Sequence, residues 1–339
     1  MPGPAVIFQM KKHLAFLLLL LLTCYLQAQK LSPAPKVNLP PSSLTLSKAD
    51  EQKLKHLEDT LKLLAQSITF DSVLENRKNA CYAFIPKLVA ALKTDNSFSY
   101  KFDSLENIAR IYSPDSNFRI FTWQLVLPKG RFRYFGFIQM KSTKLKLFPL
   151  SDRSDTMQYH SQNITGNDNW YGALYYNIIS KQADKKTIYT LFGFEGADVI
   201  TRRKVLDILT FDDKGNPRFG APLFYIQLQD DSTHYKKTDT LKRFFIEYKY
   251  NASTVFNYNP QLDMIVWDHV APTTPKGNGA TFSYVPDGTY EGFEWKNNRW
   301  NWVEKVFTFA IDEDDNPPIP VPLFGEPSRQ PQLPNESPK

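Results

Sequence analysis

Three carboxylates lie inside apolar, strand-like segments of the sequence. Glu195 and Asp198 occur in LFGFEGAD, and Asp268 is followed by His269 in MIVWDHVAP. A buried carboxylate has a raised pKa and can act as a general acid. Two carboxylates flanking an aromatic groove are the arrangement that glycosidases use. Glu195, Asp198, Asp268 and His269 are therefore candidate catalytic residues.

A structural interpretation of the same residues is the one we favour. Glycines beside Glu195 and Asp198 are typical of turns, where polar side chains satisfy backbone groups at strand ends. Asp268 and His269 are neighbours on a predicted strand, so their side chains should point to opposite faces.

Four large aromatic residues occur together in the segment EGFEWKNNRWNWVEK (Glu291–Lys305). If the chain turns at Asn297–Asn298, these residues form cross-strand pairs on one face of a hairpin. Such a ladder is either part of a core, which we favour, or an exposed platform on which a sugar could stack. The candidate ligand-binding residues are Phe293, Trp295, Trp300 and Trp302, with Trp295 opposite Trp300 and Phe293 opposite Trp302.

The same register places Glu291 opposite Glu304. Two like charges in that position could bind a cation or share a proton, although we expect them to separate at a solvated strand end.

Signatures of common catalytic and cofactor sites are missing from the sequence. There is no nucleophile elbow, P-loop, H-E-x-x-H, C-x-x-C or dinucleotide fingerprint. No two of His56, His160, His234 and His269 are close enough in sequence for a local zinc motif. Asp312–Asn316 begins like a calcium loop, but Pro317 occupies the place of the required glycine. We therefore predict no cofactor and no metal site.

The elements that would position these residues follow from apolar spacing. Leucines at 54, 57, 61 and 64 recur at helical spacing, and Ser47 is a suitable N-cap. A second helical pattern extends from Leu74 to Leu92, and Pro86 should kink or break it. Asp103–Glu106 resembles a capping box and predicts a short third helix that ends near Tyr112. We therefore predict a helical region over 47–113.

From about Phe118 the apolar residues alternate with period two, and turn-forming segments separate the runs. No helical spacer is long enough for parallel crossovers. The predicted fold is therefore α+β: a small N-terminal helical region, then a mostly antiparallel β domain over 118–311, built as a sandwich or an open barrel.

The two ends predict export. A basic segment, a short leucine-rich run and Ala28 form a signal peptide over 1–28. A proline-rich linker over 29–46 and a proline-rich, disordered tail over 316–339 flank the body of the chain. Thr23 before Cys24 disfavours lipid attachment, so we expect a periplasmic or extracellular protein without a transmembrane span. Cys81, at an apolar helical position, should be a buried, inert thiol.

Charge argues against nucleic acid as a partner. The formal net charge is +6, but basic and acidic residues are interspersed and form no basic stripe.

Three segments carry a resemblance to a known group of proteins. They begin at Tyr189 (YTLFGFEGADVITRRKVLDILTFDDKGNPRFG), at Tyr258 (YNPQLDMIVWDHVAP) and at Tyr284 (YVPDGTYEGFEWKNNRWNWVEKVF). The chain resembles, over about Phe118 to Phe307, exported proteins of Bacteroidetes-type bacteria that have no assigned function. The resemblance implies export to a Gram-negative envelope and brings no catalytic residues.

Three functional hypotheses remain. The first, which we favour, is a non-enzymatic envelope protein that binds a ligand or partner, such as a glycan or another envelope protein. The second is a hydrolase of glycan or cell-wall material that uses paired carboxylates. The third is a structural envelope component.

Overall fold

The computed structural model describes residues 44–157, 160–229, 236–274 and 279–307. The predicted signal peptide, the tail over 316–339, the Asp312–Asn316 segment and all but the end of the linker lie outside the described residues. No helix within the described ranges is both long and apolar enough to span a membrane. The chain divides into two compact units, Met1–Leu125 with Phe135–Leu150, and Val126–Tyr134 with Ser151–Lys339.

The first unit contains both of the long predicted helices, α1 (Lys48–Phe70) and α2 (Leu74–Leu92). Ser47 caps α1, because its hydroxyl accepts the backbone N–H of Asp50 at 3.1 Å. Of the predicted apolar face of α1, Leu54 and Leu61 are fully buried, and Leu57 and Leu64 are half-buried. Helix α2 continues through Pro86 without a break. Cys81 is fully buried in α2, and burial raises the pKa of its thiol, as expected for an inert cysteine.

The predicted third helix is wrong. Residues 103–108 form turns, and a strand, β1 (Ala109–Tyr112), follows them. Glu58 of α1 holds the turn, because its carboxylate accepts the backbone N–H of Ser104 at 2.7 Å and the Tyr100 hydroxyl at 2.6 Å. Residues 109–112, the second half of the predicted helix, instead pair antiparallel with residues 119–122, so their backbone groups are used in a sheet and not in a helix.

Strand β1 is the first of a four-stranded sheet in the order β1-β2-β3-β4, with β2 at Phe118–Val126, β3 at Phe132–Met140 and β4 at Leu147–Ser151. Arg119 of β2 is fully buried. Its guanidinium donates to Gln139 Oε1 at 2.8 Å, to the Tyr112 hydroxyl at 2.7 Å and to the Ser97 carbonyl at 2.9 Å. Aromatic rings, including that of Phe121 at 4.8 Å, surround it.

The second unit contains two six-stranded sheets. The second sheet has the order β5-β9-β8-β7-β6, and β12 pairs with β8. Its strands are β5 (Thr165–Gly166), β6 (Leu174–Ala183), β7 (Lys186–Glu195), β8 (Thr201–Phe211), β9 (Pro217–Phe219) and β12 (Arg243–Lys249).

The third sheet has the order β11-β10-β16-β15-β14-β13. Its strands are β10 (Phe224–Gln229), β11 (Lys236–Leu241), β13 (Phe256–Asn259), β14 (Met264–Pro272), β15 (Tyr284–Lys296) and β16 (Arg299–Val303). The pairs are antiparallel except for β10 with β16, which is parallel.

One apolar cluster joins the facing sides of the second and third sheets. The second sheet contributes Phe192 and Leu206, and the third contributes Trp267, Phe293 and Trp300. Alternate residues of each strand enter this cluster, as the period of two requires. The predicted α+β class is confirmed, and the two facing sheets form the sandwich.

Candidate functional site

The aromatic hairpin forms in the predicted register but belongs to the core. Asn297 and Asn298 form its turn with positive φ angles of 55° and 58°, a conformation that asparagine tolerates well. Trp295 pairs with Trp300, and Phe293 pairs with Trp302. Phe293 and Trp300 are fully buried, and the half-buried rings of Trp295 and Trp302 pack against the same cluster.

A further contact fixes Trp300 in this core. Its indole Nε1 donates to Thr190 Oγ1 of β7 at 3.0 Å. The two fully buried rings therefore present no face to a ligand, and the site must be sought elsewhere.

Asp198 serves the local backbone. Its Oδ1 accepts the N–H groups of Ile200 and Thr201, both at 2.8 Å, and so closes the turn that precedes β8. Partial burial raises the pKa of Asp198, but these hydrogen bonds outweigh it and the pKa is lowered. A carboxyl group that ionises so readily is poorly suited to act as a general acid.

Asp268 also has a backbone partner, since its Oδ2 accepts the N–H of Val255 at 2.6 Å. The register of β14 against β15 shifts between Asp268 and Val270. This bulge brings His269 Nδ1 to 2.6 Å from Asp287 Oδ2. Thr289 orients the Asp287 carboxylate through its N–H at 2.9 Å and its hydroxyl at 2.8 Å.

Glu291 lies near this pair. Its Oε2 accepts the indole N–H of Trp267, which is its Cα partner on β14, at 2.9 Å. Burial is the main cause of the raised pKa of Glu291, and the nearby charge of Glu304 adds to it. Glu304 itself is exposed beyond the end of β16.

Glu195 occupies a different position, because it lines a cleft. It stands opposite Arg203, which in turn stands opposite Glu247, across β7, β8 and β12. Arg203 donates to Glu195 Oε2 at 3.1 Å and to Glu247 Oε2 at 2.5 Å. The Tyr171 hydroxyl donates to the same Glu195 oxygen at 3.0 Å.

Burial raises the pKa of Glu195, against the opposing effects of the Arg203 charge and the Tyr171 hydrogen bond. Among the described residues no donor is placed on the second oxygen, Oε1. Since Glu195 lines the cleft, this oxygen is the part of the carboxylate that a ligand can use as an acceptor.

We call this cleft, which has a volume of about 250 Å³, the arginine cleft. Its residues are Leu127, Arg131, Phe132, Arg133, Ser154, Asp155, Glu195, Ala197 and Arg203. Arg133 lies 3.7 Å from Asp155, and both side chains are partly solvent-exposed. Arg131 is exposed, with no acidic partner in the part of the chain that the structure describes.

The local sequence explains how the cleft is built. Lys129 and Gly130 adopt positive φ angles of 62° and 67°, and this turn leads through Arg131, whose backbone is extended, into β3. Gly196 follows β7, and a Cβ atom there would lie only 2.4 Å from the Phe132 ring. The absence of a side chain at Gly196 therefore allows Phe132 to approach, and the Tyr134 hydroxyl accepts the Gly196 N–H at 2.7 Å.

Sequence reasoning identified Glu195 but missed the arginines. The sequence feature that could have identified Arg131 and Arg133 is their spacing, because residues two apart in extended chain lie on one face. Arg203 could have been identified only from the pairing of β7 with β8.

No group of three or more His, Cys, Asp or Glu residues in the described ranges is arranged to hold a metal ion. Comparison of the chain with protein-family models, with curated proteins and with solved structures finds no match.

Proposed function

We propose that the protein is an exported envelope protein that binds a small ligand in the arginine cleft without converting it. One observation carries this proposal: a nearly buried carboxylate and three arginines line the same cleft. Ligand sites are usually concave, with a few polar groups that converge on the ligand. Export rests on the predicted signal peptide.

The lining groups suggest the ligand class. Guanidinium groups bind carboxylates through paired, charge-assisted hydrogen bonds, so Arg131 and Arg133 favour an anionic group. Glu195 Oε1 would accept a hydrogen bond from a ligand hydroxyl. A cleft of about 250 Å³ is small for a drug-sized molecule, which needs about 300–1,000 Å³. The best match is a single hydroxylated acid, such as a sugar acid.

Calorimetric titration with galacturonate, and with uncharged galactose as the matched ligand, tests this proposal. We expect galacturonate to bind at least about tenfold more tightly than galactose, which corresponds to about 1.4 kcal/mol of binding free energy. Arg131→Gln and Arg133→Gln should each weaken galacturonate binding, and Arg218→Gln, an exposed arginine on β9, should not. Equal binding of the two sugars, or insensitivity to both cleft arginines, would contradict the proposal.

A hydrolase is the second candidate, because the raised pKa of Glu195 suits a general acid. A glycosidase needs two carboxyl groups about 5–10 Å apart. The other carboxylate in the cleft is Asp155, which is largely exposed beside Arg133. Release of reducing sugar from cell-wall glycan by the wild-type protein, lost in Glu195→Gln and kept in Glu294→Gln, would favour the hydrolase over the binding protein.

A further inference from the structure

A second concave site, unrelated to the arginine cleft, lies at strands β13, β14 and β15. We call it the amide groove; its walls include Asn257, Asn259, Gln261, Val266, Tyr290 and Phe307, and its volume is about 390 Å³. None of its lining residues carries a charge. The arginine cleft, by contrast, is lined by five charged side chains, so the two sites suit different ligands.

The alternation of side chains along β13 and β14 shows which face of the third sheet carries the groove. Phe256 of β13 and Ile265 of β14 point into the core. Their neighbours Asn257 and Val266, which pair directly across the two strands, therefore point to the opposite face. Tyr290 is on that face as well, since it precedes Glu291, whose carboxylate faces Trp267 of the core.

Two asparagines present fixed donors. Asn257 Oδ1 accepts from Asn177 Nδ2 at 2.6 Å and from the N–H of Tyr258 at 2.9 Å. Asn259 Oδ1 accepts the N–H groups of Gln261 at 2.9 Å and Leu262 at 3.2 Å. Each carboxamide is held by its oxygen, so the plane of its NH₂ group is fixed too.

Neither NH₂ group donates to an acceptor in the described part of the chain. The two residues are separated by two strand positions, a spacing of about 7 Å. They therefore form a pair of pre-oriented donors on one wall of the groove. The side chain of Gln261 lines the same groove.

The other wall is aromatic. The Tyr290 and Phe307 rings meet edge to face, with centroids 5.4 Å apart and planes at 85°. The carbonyl of Tyr290 accepts the N–H of Val306 at 3.0 Å, and this bond holds the segment before Phe307 against β15. Ring faces of this kind bind the apolar C–H faces of a ligand.

We propose that the amide groove binds a neutral saccharide. A sugar ring combines an apolar C–H face, which the aromatic wall accepts, with hydroxyl oxygens at its rim, which accept from the asparagine NH₂ groups. The absence of lining charges favours a neutral sugar over an acidic one. A volume of about 390 Å³ accommodates about one to two rings, within the range of small-molecule pockets.

The test uses full-length protein on an array of neutral oligosaccharides, followed by calorimetric titration of the best-bound sugar. Asn257→Asp and Asn259→Asp are the informative variants, because aspartate keeps the oxygen that accepts from the backbone and replaces the NH₂ donor with a charged oxygen that can only accept. We expect each variant to weaken binding by about tenfold. This is the effect of losing one hydrogen bond and leaving a hydroxyl oxygen of the sugar without its donor. Asn251→Asp, an exposed position outside the groove, adds the same charge and should bind as wild type.

Tyr290→Leu tests the aromatic wall and should also weaken binding. The proposal is overturned if no neutral sugar binds at millimolar concentration, or if binding survives both Asn257→Asp and Asn259→Asp. Because Arg131→Gln leaves this groove intact, a neutral sugar should bind that variant normally. Failure of the arginine-cleft proposal can thus be distinguished from failure of this one.

Discussion

Asp207 and Arg243 stand directly opposite each other on β8 and β12 and form an ion pair in which neither side chain is exposed by more than 1%. Arg243 Nε lies 2.8 Å from Asp207 Oδ2. Burial raises the pKa of Asp207, and the Arg243 charge opposes that rise. The carboxylate therefore depends on its partner to remain ionised.

Removal of one partner from this pair should be costly. Arg243→Met leaves the buried Asp207 carboxyl group without its partner, and we expect the free energy of unfolding to fall by about 3–5 kcal/mol. Urea denaturation measures the change. The double variant Asp207→Leu/Arg243→Met should recover part of the loss, because no charge then remains buried. Lys186→Met removes the exposed Lys186–Asp213 pair and should change the free energy of unfolding little. A similar loss of stability in Arg243→Met and Lys186→Met would contradict this account.

The charge of Arg119 should matter less than its shape. Arg119→Lys keeps a cation among the aromatic rings but cannot reach Gln139, Tyr112 and Ser97 together. Each buried acceptor left without a donor costs about 1–3 kcal/mol, so we expect a loss of about 3 kcal/mol or more in urea denaturation. Arg218→Lys, at an exposed position, is the matched control. A variant as stable as wild type would show that the donor geometry is unimportant.

The stability of the protein should depend on pH through Glu291. Its pKa is raised in the folded state, so the folded protein binds the proton more tightly than the unfolded chain does. Ionisation of Glu291 thus favours unfolding, and its effect appears as pH rises from the unfolded pKa, about 4.3, through the raised folded value. Glu291→Gln cannot ionise, so the loss of stability with rising pH is absent. Its amide oxygen can still accept the indole N–H of Trp267.

Urea denaturation between pH 4 and pH 7 measures the effect. The stability of Glu291→Gln relative to wild type should increase with pH over that interval and then level off. Glu294→Gln changes an exposed residue of the same strand and should show no such trend. A constant difference between Glu291→Gln and wild type would contradict the prediction.

The proposed export leads to a prediction about the mature N-terminus. We expect cleavage after Ala28, so intact-mass measurement of the exported protein should find a chain that begins at Gln29. An Ala28→Leu variant should be processed poorly, because the peptidase requires a small residue there. A chain that retains the signal peptide, or one that carries lipid on Cys24, would be evidence against simple secretion.

The local features of the fold could be predicted from sequence. The hairpin register was predictable because the alternation of Phe293 and Trp295 and the turn at Asn297–Asn298 both act over a few residues. Helix α1 was predictable for the same reason, since Ser47 and the leucine spacing are adjacent in the chain.

The features that were missed depend on distant contacts. Strand β1 replaced a predicted helix because residues 109–112 pair with β2, and the capping pattern at Asp103–Glu106 carries no information about that pairing. Glu195 could be identified from its apolar surroundings, but the arginine cleft needs the pairing of β7 with β8 and the turn at Gly130. The amide groove was missed because Asn257 and Asn259 resemble ordinary loop residues until Tyr290 is placed beside them.

The order of strands in the third sheet limits when the second unit can fold. Strand β16 lies between β10 and β15, and so the last described strand is inserted near the middle of the sheet. Such non-local pairing gives a high contact order and slow folding, with strand edges unpaired in the meantime. The third sheet cannot close until β16 has emerged from the ribosome. The third sheet thus remains incomplete until residues 299–303 have been made, and an incomplete sheet is compatible with the export that we propose.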